Sequence, residues 1–295
     1  MKDAHTHGVA TERPSLIESV ASHLVLACAV AFALYPVLWV VSLAFSGARP
    51  VEASALPVPH QPTLAHLAEV VLAHRTTAEG TTWLFGRQFA NSLVVSLATA
   101  AVGVIIAVPA AYALARFSFL GKVRGVRALL ATQTFPTVAT LVPLYLILRT
   151  AGLLDTRTGL VLCYASTSVP FAIFQLRAAF EAIPLDLEEA AMVDGATRFE
   201  AFVRVVLPAA RPAIAVTALF AFMGAYNEFI LAATLLSKEE MFTLPVMLQR
   251  FIGEYDARVD LFAAGALLVS LPVMALFYVA QRQLVAGLTA GGVKG

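Results

Sequence analysis

The chain has 295 residues, of which 59% are apolar and only 13% charged, with a net charge of +1 and a mean hydropathy of +0.81. This composition excludes a soluble globular domain, and the near-zero charge removes any bulk electrostatic case for nucleic acid or a strongly acidic partner. Cys28 and Cys163 both lie in apolar runs and match no metal or redox spacing, so no disulfide framework or metal site is expected.

Residues 1–22 form a polar leader without a small-residue cleavage pattern, which predicts that the apolar run after it is a retained span and not a signal peptide. Six runs are long enough to cross a hydrocarbon core, which takes about 20 helical residues: 23–45, 91–115, 128–148, 159–180, 212–236 and 262–284. Backbone polar groups in lipid must be paired within the segment, so each run is predicted to be a helix. The fold class that follows is an all-α integral membrane protein with six transmembrane helices in one domain, residues 23–284.

Between the first two spans, Pro57, Pro59 and Pro62 mark a turn-rich stretch. Leu64, Leu67, Ala68, Val71 and Leu72 then keep helical period, which predicts a short helix lying at the membrane surface or packed on the spans. Pro36, Pro109, Pro136, Pro143, Pro170 and Pro272 fall inside the spans, where each is expected to loosen or kink its helix. Twelve of the twenty Lys and Arg residues fall on the side that holds both termini. Four of them, Arg116, Lys122, Arg124 and Arg127, crowd one short loop that carries no acid. Both termini are therefore predicted to be cytoplasmic.

The polar stretch 181–211 separates two membrane-length runs and falls on that same side. Pro184 stops the preceding helix, and Asp186 with Glu189 three residues on predicts a reciprocal cap on a new short helix that Gly195 ends. Thr197 with Glu200 repeats the device, opening a second short helix that Pro208 terminates. On the first helix Leu187, Ala190, Ala191 and Asp194 share a face whose small residues let another protein approach closely. The stretch reads as a docking surface and not as a catalytic site.

Inside the spans the strongest polar cluster is Tyr226-Asn227-Glu228, set among the small residues Ala221, Gly224, Ala225 and Ala232. A carboxylate at that depth is a functional candidate by default. A groove there suits a neutral polyol, with Asn227 and Glu228 accepting hydroxyls against the Tyr226 ring; interhelical hydrogen bonding between tightly packed helices explains the same residues. Gln133, Thr137 and Thr140 form a second polar stripe, and Ser166, Thr167 and Ser168 punctuate the fourth span. They either line a polar route or return their hydroxyls to the backbone. No glycine-rich phosphate loop ending in Gly-Lys-Ser or Gly-Lys-Thr occurs, so no nucleotide site is expected in this chain.

Glu189-Ala190-Ala191, Gly195, Val205 and Leu207-Pro208 stand at the spacing of the signature loop of permease subunits of binding-protein-dependent ABC importers, which this chain resembles. Val205 stands where isoleucine is usual. Ala113-Leu114-Ala115-Arg116-Phe117, Gly121-Lys122, Thr134-Phe135-Pro136 and the ending from Gly287 to Gly295 are similar to the smaller permease subunits of maltose/maltodextrin importers.

The resemblance implies the type I importer permease fold in a multi-pass bacterial inner-membrane protein. It also implies a second homologous permease as partner, two ATPase subunits that bind ATP and Mg, and an extracytoplasmic sugar-binding protein. By the same resemblance Glu189, Ala190, Ala191, Asp194, Gly195, Leu207 and Pro208 contact an ATPase, as does the tail 285–295 through Thr289, Gly291, Gly292 and Lys294. Gln249, Tyr255 and Asp256, in the external loop between the last two spans, would meet the binding protein. Substrates other than maltodextrins, including other neutral sugars and glycerol phosphate, remain compatible with the sequence, as does a stand-alone secondary carrier.

Overall fold

The computed structural model describes residues 15–47, 56–59, 61–77, 80–253 and 257–292, without the side chains of Thr77, of Thr137 and of 282–292. Among these residues four helices are long and apolar enough to cross a membrane, and six spans result if each of two bent helix pairs counts as one.

Helix α1 covers Leu16–Phe45. It starts seven residues before the expected span, because Ser15 and Glu18 form a capping box within what reads as polar leader. Its first two-thirds expose Val25, Leu26, Val30 and Phe32, a surface suited to lipid or another subunit, while Ser42 and Ala44 are buried.

Helix α2, Ala65–Val71, is the short helix anticipated from the spacing and packs on α1 and on the last helix. A hairpin of β1, His74–Thr77, and β2, Gly80–Trp83, follows, so the fold is mostly but not wholly α. Trp83 Nε1 donates to Val71 O at 2.6 Å and ties the hairpin to α2.

Helix α3, Leu84–Arg116, is seven residues longer at its start than the expected second span. Its polar residues Gln88, Asn91, Ser92, Ser96 and Thr99 are buried. The third expected span is instead two helices, α4 (Lys122–Thr134) and α5 (Thr137–Thr150), whose axes differ by 102°. Pro136 supplies no N–H and holds Phe135 extended, at φ −79° and ψ 127°, which breaks the ladder there.

Helix α6, Arg157–Ala182, lies along α3; Ala107 and Ala111 of α3 and Ala172 of α6 keep the contact short. After the elbow of α7 (Leu185–Val193) and α8 (Arg198–Ala209) comes α9, Arg211–Tyr226, bent 71° from α8. The fifth expected span also breaks: residues 227–229 leave the helix and α10, Ile230–Leu235, resumes it. Helix α11 covers Leu244–Gln249, and α12, Val259–Gly292, closes the chain. The tail residues Thr289, Gly291 and Gly292 thus continue the last helix, and Lys294 lies outside the described residues.

Candidate functional site

The elbow is built from α7 and α8 joined at Gly195. The expected Asp186–Glu189 cap is not what starts α7: Pro184 is the N-cap, no side chain caps it, and Asp186 and Glu188 stand in the first turn, favourably placed for the helix dipole. At the other end Gly195 N donates to Met192 O at 3.1 Å and Ala196 N to Ala191 O at 3.0 Å, the paired bonds of a Schellman motif with Gly195 at φ +95°. The left-handed Gly195 thus turns the chain so that Ala196 N reaches the Ala191 carbonyl.

The cap of α8 is as expected. Thr197 N and its hydroxyl both donate to Glu200 Oε2 at 2.9 Å, and Glu200 N donates to Thr197 Oγ1 at 3.2 Å. The Thr197 backbone N–H, then its hydroxyl and then Arg204, hold the Glu200 carboxyl below its usual range. The helix widens into a π segment over Phe202–Val206 before Leu207 and Pro208, and ends at Ala209, one residue past the expected stop.

Glu189, Ala190, Asp194 and Gly195 are exposed, and Ala191, Leu207 and Pro208 are half-buried. Leu207 packs against the α3–α6 core, so it supports the elbow from within. Around the exposed set stand Leu187, Val193 and Phe199; Val193 is 87% and Phe199 73% exposed. These side chains form an exposed apolar patch on a short polar connection.

One acid of the pair points inward. Glu188, beside the exposed Glu189, is 4% exposed and accepts from Tyr112 Oη at 2.8 Å and from Arg116 Nε. Arg116 Nη2 also donates to Ile183 O at 2.8 Å. Sequence reasoning missed this cluster; its signal was a second acid one position from the first, where a helix places the two on different faces.

Farther along the bundle, Glu228 stands in the break between α9 and α10. Leu231 N and Ala232 N donate to its two carboxylate oxygens at 2.8 and 3.1 Å, so the acid caps α10. It also lines a groove of about 240 Å³ with Tyr164, Thr167, Ser168, Thr217 and Gly224. Asn227 is exposed. Tyr226 is buried, stacked on Phe222 with its hydroxyl donating to Val269 O at 2.9 Å, so its ring packs between α9 and α12 and offers no face to the groove.

Gln133 lines a second groove of similar volume with Thr140, Ser166 and Thr167, and Thr167 borders both. Ser166, Thr167 and Ser168 donate to the carbonyls of Cys163, Tyr164 and Ala165, which leaves oxygen lone pairs toward the grooves. Pro170 also supplies no N–H to the Ser166 carbonyl. The Thr137 side chain lies outside the described residues.

At the Leu84 end of α3, residues 237–244 are held by side chains. Gln88 Nε2 donates to Glu239 O at 3.0 Å, Asn91 Nδ2 to Glu240 O and Phe242 O at 2.8 and 3.0 Å, and Leu244 N to Ser92 Oγ at 2.7 Å. Gln249 is exposed at the end of α11; Tyr255 and Asp256 lie outside the described residues.

This chain is similar to known transport proteins over most of its length. The chain is 37% identical to the trehalose transport system permease protein of Mycobacterium tuberculosis, over 90% of this chain and 94% of that one. It is 34% identical to the maltose/maltodextrin transport system permease protein of Vibrio parahaemolyticus, over 93% and 95%. Its fold matches a chain of a bacterial ABC transporter involved in the import of the acidic polysaccharide alginate, with a TM-score of 0.74 and 25% identity over 90% of this chain and 96% of that one. Residues 102–289, which include the elbow and both grooves, match the binding-protein-dependent transport system inner membrane components, and the chain belongs to that family.

Proposed function

We propose that this chain is a permease subunit of an ATP-driven, binding-protein-dependent importer of neutral oligosaccharides of the maltose/maltodextrin kind. In this reading the elbow seats in a separate ATPase subunit that binds ATP and Mg, with both termini on the ATPase side of the inner membrane. The tail residues Thr289, Gly291, Gly292 and Lys294 approach the ATPase pair. A second permease completes the pathway, and an extracytoplasmic sugar-binding protein docks at the loop holding Gln249, Tyr255 and Asp256.

The observation that carries the reading is the elbow: a glycine-closed helix pair with Leu187, Val193 and Phe199 exposed around Glu189, Ala190 and Ala191. Closure of an ATPase dimer would turn it as a rigid piece. Relatives named for trehalose and maltodextrin transport support a sugar, and the hydroxyl-lined grooves offer acceptors for one.

Co-isolation with a nucleotide-binding subunit tests the assembly. Glu189→Lys is expected to lower sugar uptake at least about tenfold while the chain still inserts, and so is Gly195→Asp. A Cβ at Gly195 meets nothing within 4 Å among the described residues but is strained by the positive φ, which asparagine tolerates better than most residues. If Gly195→Asn restores the turn yet uptake stays low, the loss belongs to the docked surface. Unchanged uptake in Glu189→Lys would overturn the reading.

Glu228 separates pathway from scaffold. Glu228→Gln keeps one of the two acceptors for α10, so it is expected to cost stability only about 1 kcal/mol and to cut uptake several-fold. Uptake at the unsubstituted rate would leave the carboxylate with its capping role alone.

A further inference from the structure

The elbow is covalently continuous with α6 and α9, yet its side chains grip a third helix. Glu188 of α7 is bound by Tyr112 Oη and Arg116 Nε, both in the last two turns of α3, and the same guanidinium holds the Ile183 carbonyl between α6 and α7. The other arm grips the same place: the Phe202 ring of α8 lies 4.2 Å from that of Tyr112, and the Arg198 guanidinium sits 5.3 Å from the ring of Phe117, the residue that follows α3. Each arm is therefore fixed to the end of α3 by contacts the chain's connectivity does not require.

We propose that Tyr112, Arg116 and Glu188 form a latch that delivers movement of the elbow to α3, which makes them positioning residues for transport. The proposal rests on reading the elbow as the seat of an ATPase. A buried ion pair is a poor source of net stability, since apolar residues of similar volume often serve as well. What it supplies is a fixed geometry, because the two carboxylate oxygens are each committed to a different donor and the arm cannot turn without breaking one of those bonds. Helix α3 is suited to carry the movement: 33 residues extend about 50 Å, and at the far end Gln88, Asn91 and Ser92 hold the backbone of Glu239, Glu240, Phe242 and Leu244.

The test uses the complete reconstituted importer and reads sugar taken up per ATP hydrolysed, a ratio that loss of folded complex does not change. Glu188→Gln and Arg116→Gln are each expected to lower that ratio at least about fivefold with the ATPase still co-purifying, and the double variant is expected to be no worse than the poorer single one, as for residues that act as a unit. Tyr112→Phe keeps the ring against Phe202 and removes only the hydroxyl; it is expected to lower the ratio about twofold to threefold, and it decides the matter if the Glu188 variant fails to fold. A ratio unchanged in Tyr112→Phe and in whichever charge variants fold, or single effects that multiply in the double variant, overturns the latch. Failure of even the unsubstituted chain to co-purify with an ATPase, by contrast, overturns the docking reading itself.

Discussion

Replacing Asn91 with leucine is expected to destabilise the protein by about 3 kcal/mol and to free residues 237–244 for proteolysis. Asn91 is wholly buried in α3 and uses both ends of its amide: Nδ2 donates to Glu240 O and Phe242 O, and Oδ1 accepts from Arg157 Nε at 2.8 Å. Leucine fills the space but strands the Glu240 and Phe242 carbonyls, and each unmet buried group costs about 1–3 kcal/mol, whereas the exposed Arg157 can turn to water. Within this segment a single 3₁₀ turn over Glu239–Met241 pairs Met241 N with Lys238 O and Phe242 N with Glu239 O, and Asn91, Gln88 and Ser92 supply partners for the other backbone groups they reach. Asn91→Asp keeps the acceptor for Arg157 but turns a carboxylate toward the Glu240 and Phe242 carbonyls, and it is expected to be nearly as damaging. A melting temperature within a degree of the unsubstituted protein, for both variants, would show that the loop is held by other contacts.

What the sequence made legible depended on range. The existence of the long apolar helices and the glycine-closed elbow follow from local rules, composition over about 20 residues and capping chemistry over four, and these appear with boundaries shifted by a few residues. The breaks at Phe135–Pro136 and at 227–229 were less legible, because hydropathy averages across them. Pro136 was visible but reads no differently from Pro36, Pro109, Pro143, Pro170 and Pro272, all of which stay inside their helices. At Glu228 the polar side chain was legible and its role was not: capping α10 requires knowing that α9 ends at Tyr226.

The Glu188 cluster and the Asn91 clamp join residues 66 or more positions apart, which no local pattern reveals. A partial signal was nevertheless present. Gln88, Ser92, Ser96 and Thr99 recur at helical period in an otherwise apolar run, and such a stripe in a membrane helix faces protein instead of lipid.

Gly159→Ala is expected to be as severe as Asn91→Leu, and for a steric reason. A Cβ at Gly159 would stand 2.3 Å from Leu153 O and 3.1 Å from Thr156 Oγ1. Neither neighbour can yield alone, since Thr156 Oγ1 accepts from Gly159 N at 3.0 Å and donates to Leu153 O at 2.7 Å, and Leu153 N donates to Leu148 O. The turn between α5 and α6 must therefore move as a unit, at a cost of about 3 kcal/mol. That turn carries Asp155, held at φ +55°, whose Oδ1 accepts from Ser237 N and Lys238 N, so the displacement reaches the same segment that Asn91 clamps.

Gly224→Ala makes the complementary experiment, because a Cβ there meets nothing within 4 Å among the described residues although the residue lines the groove beside Glu228. The fold is expected to tolerate that methyl at no loss of melting temperature. Any fall in uptake then reports on whatever occupies the groove, a passing sugar or a neighbouring subunit. Only a sugar would relieve the defect when its concentration is raised.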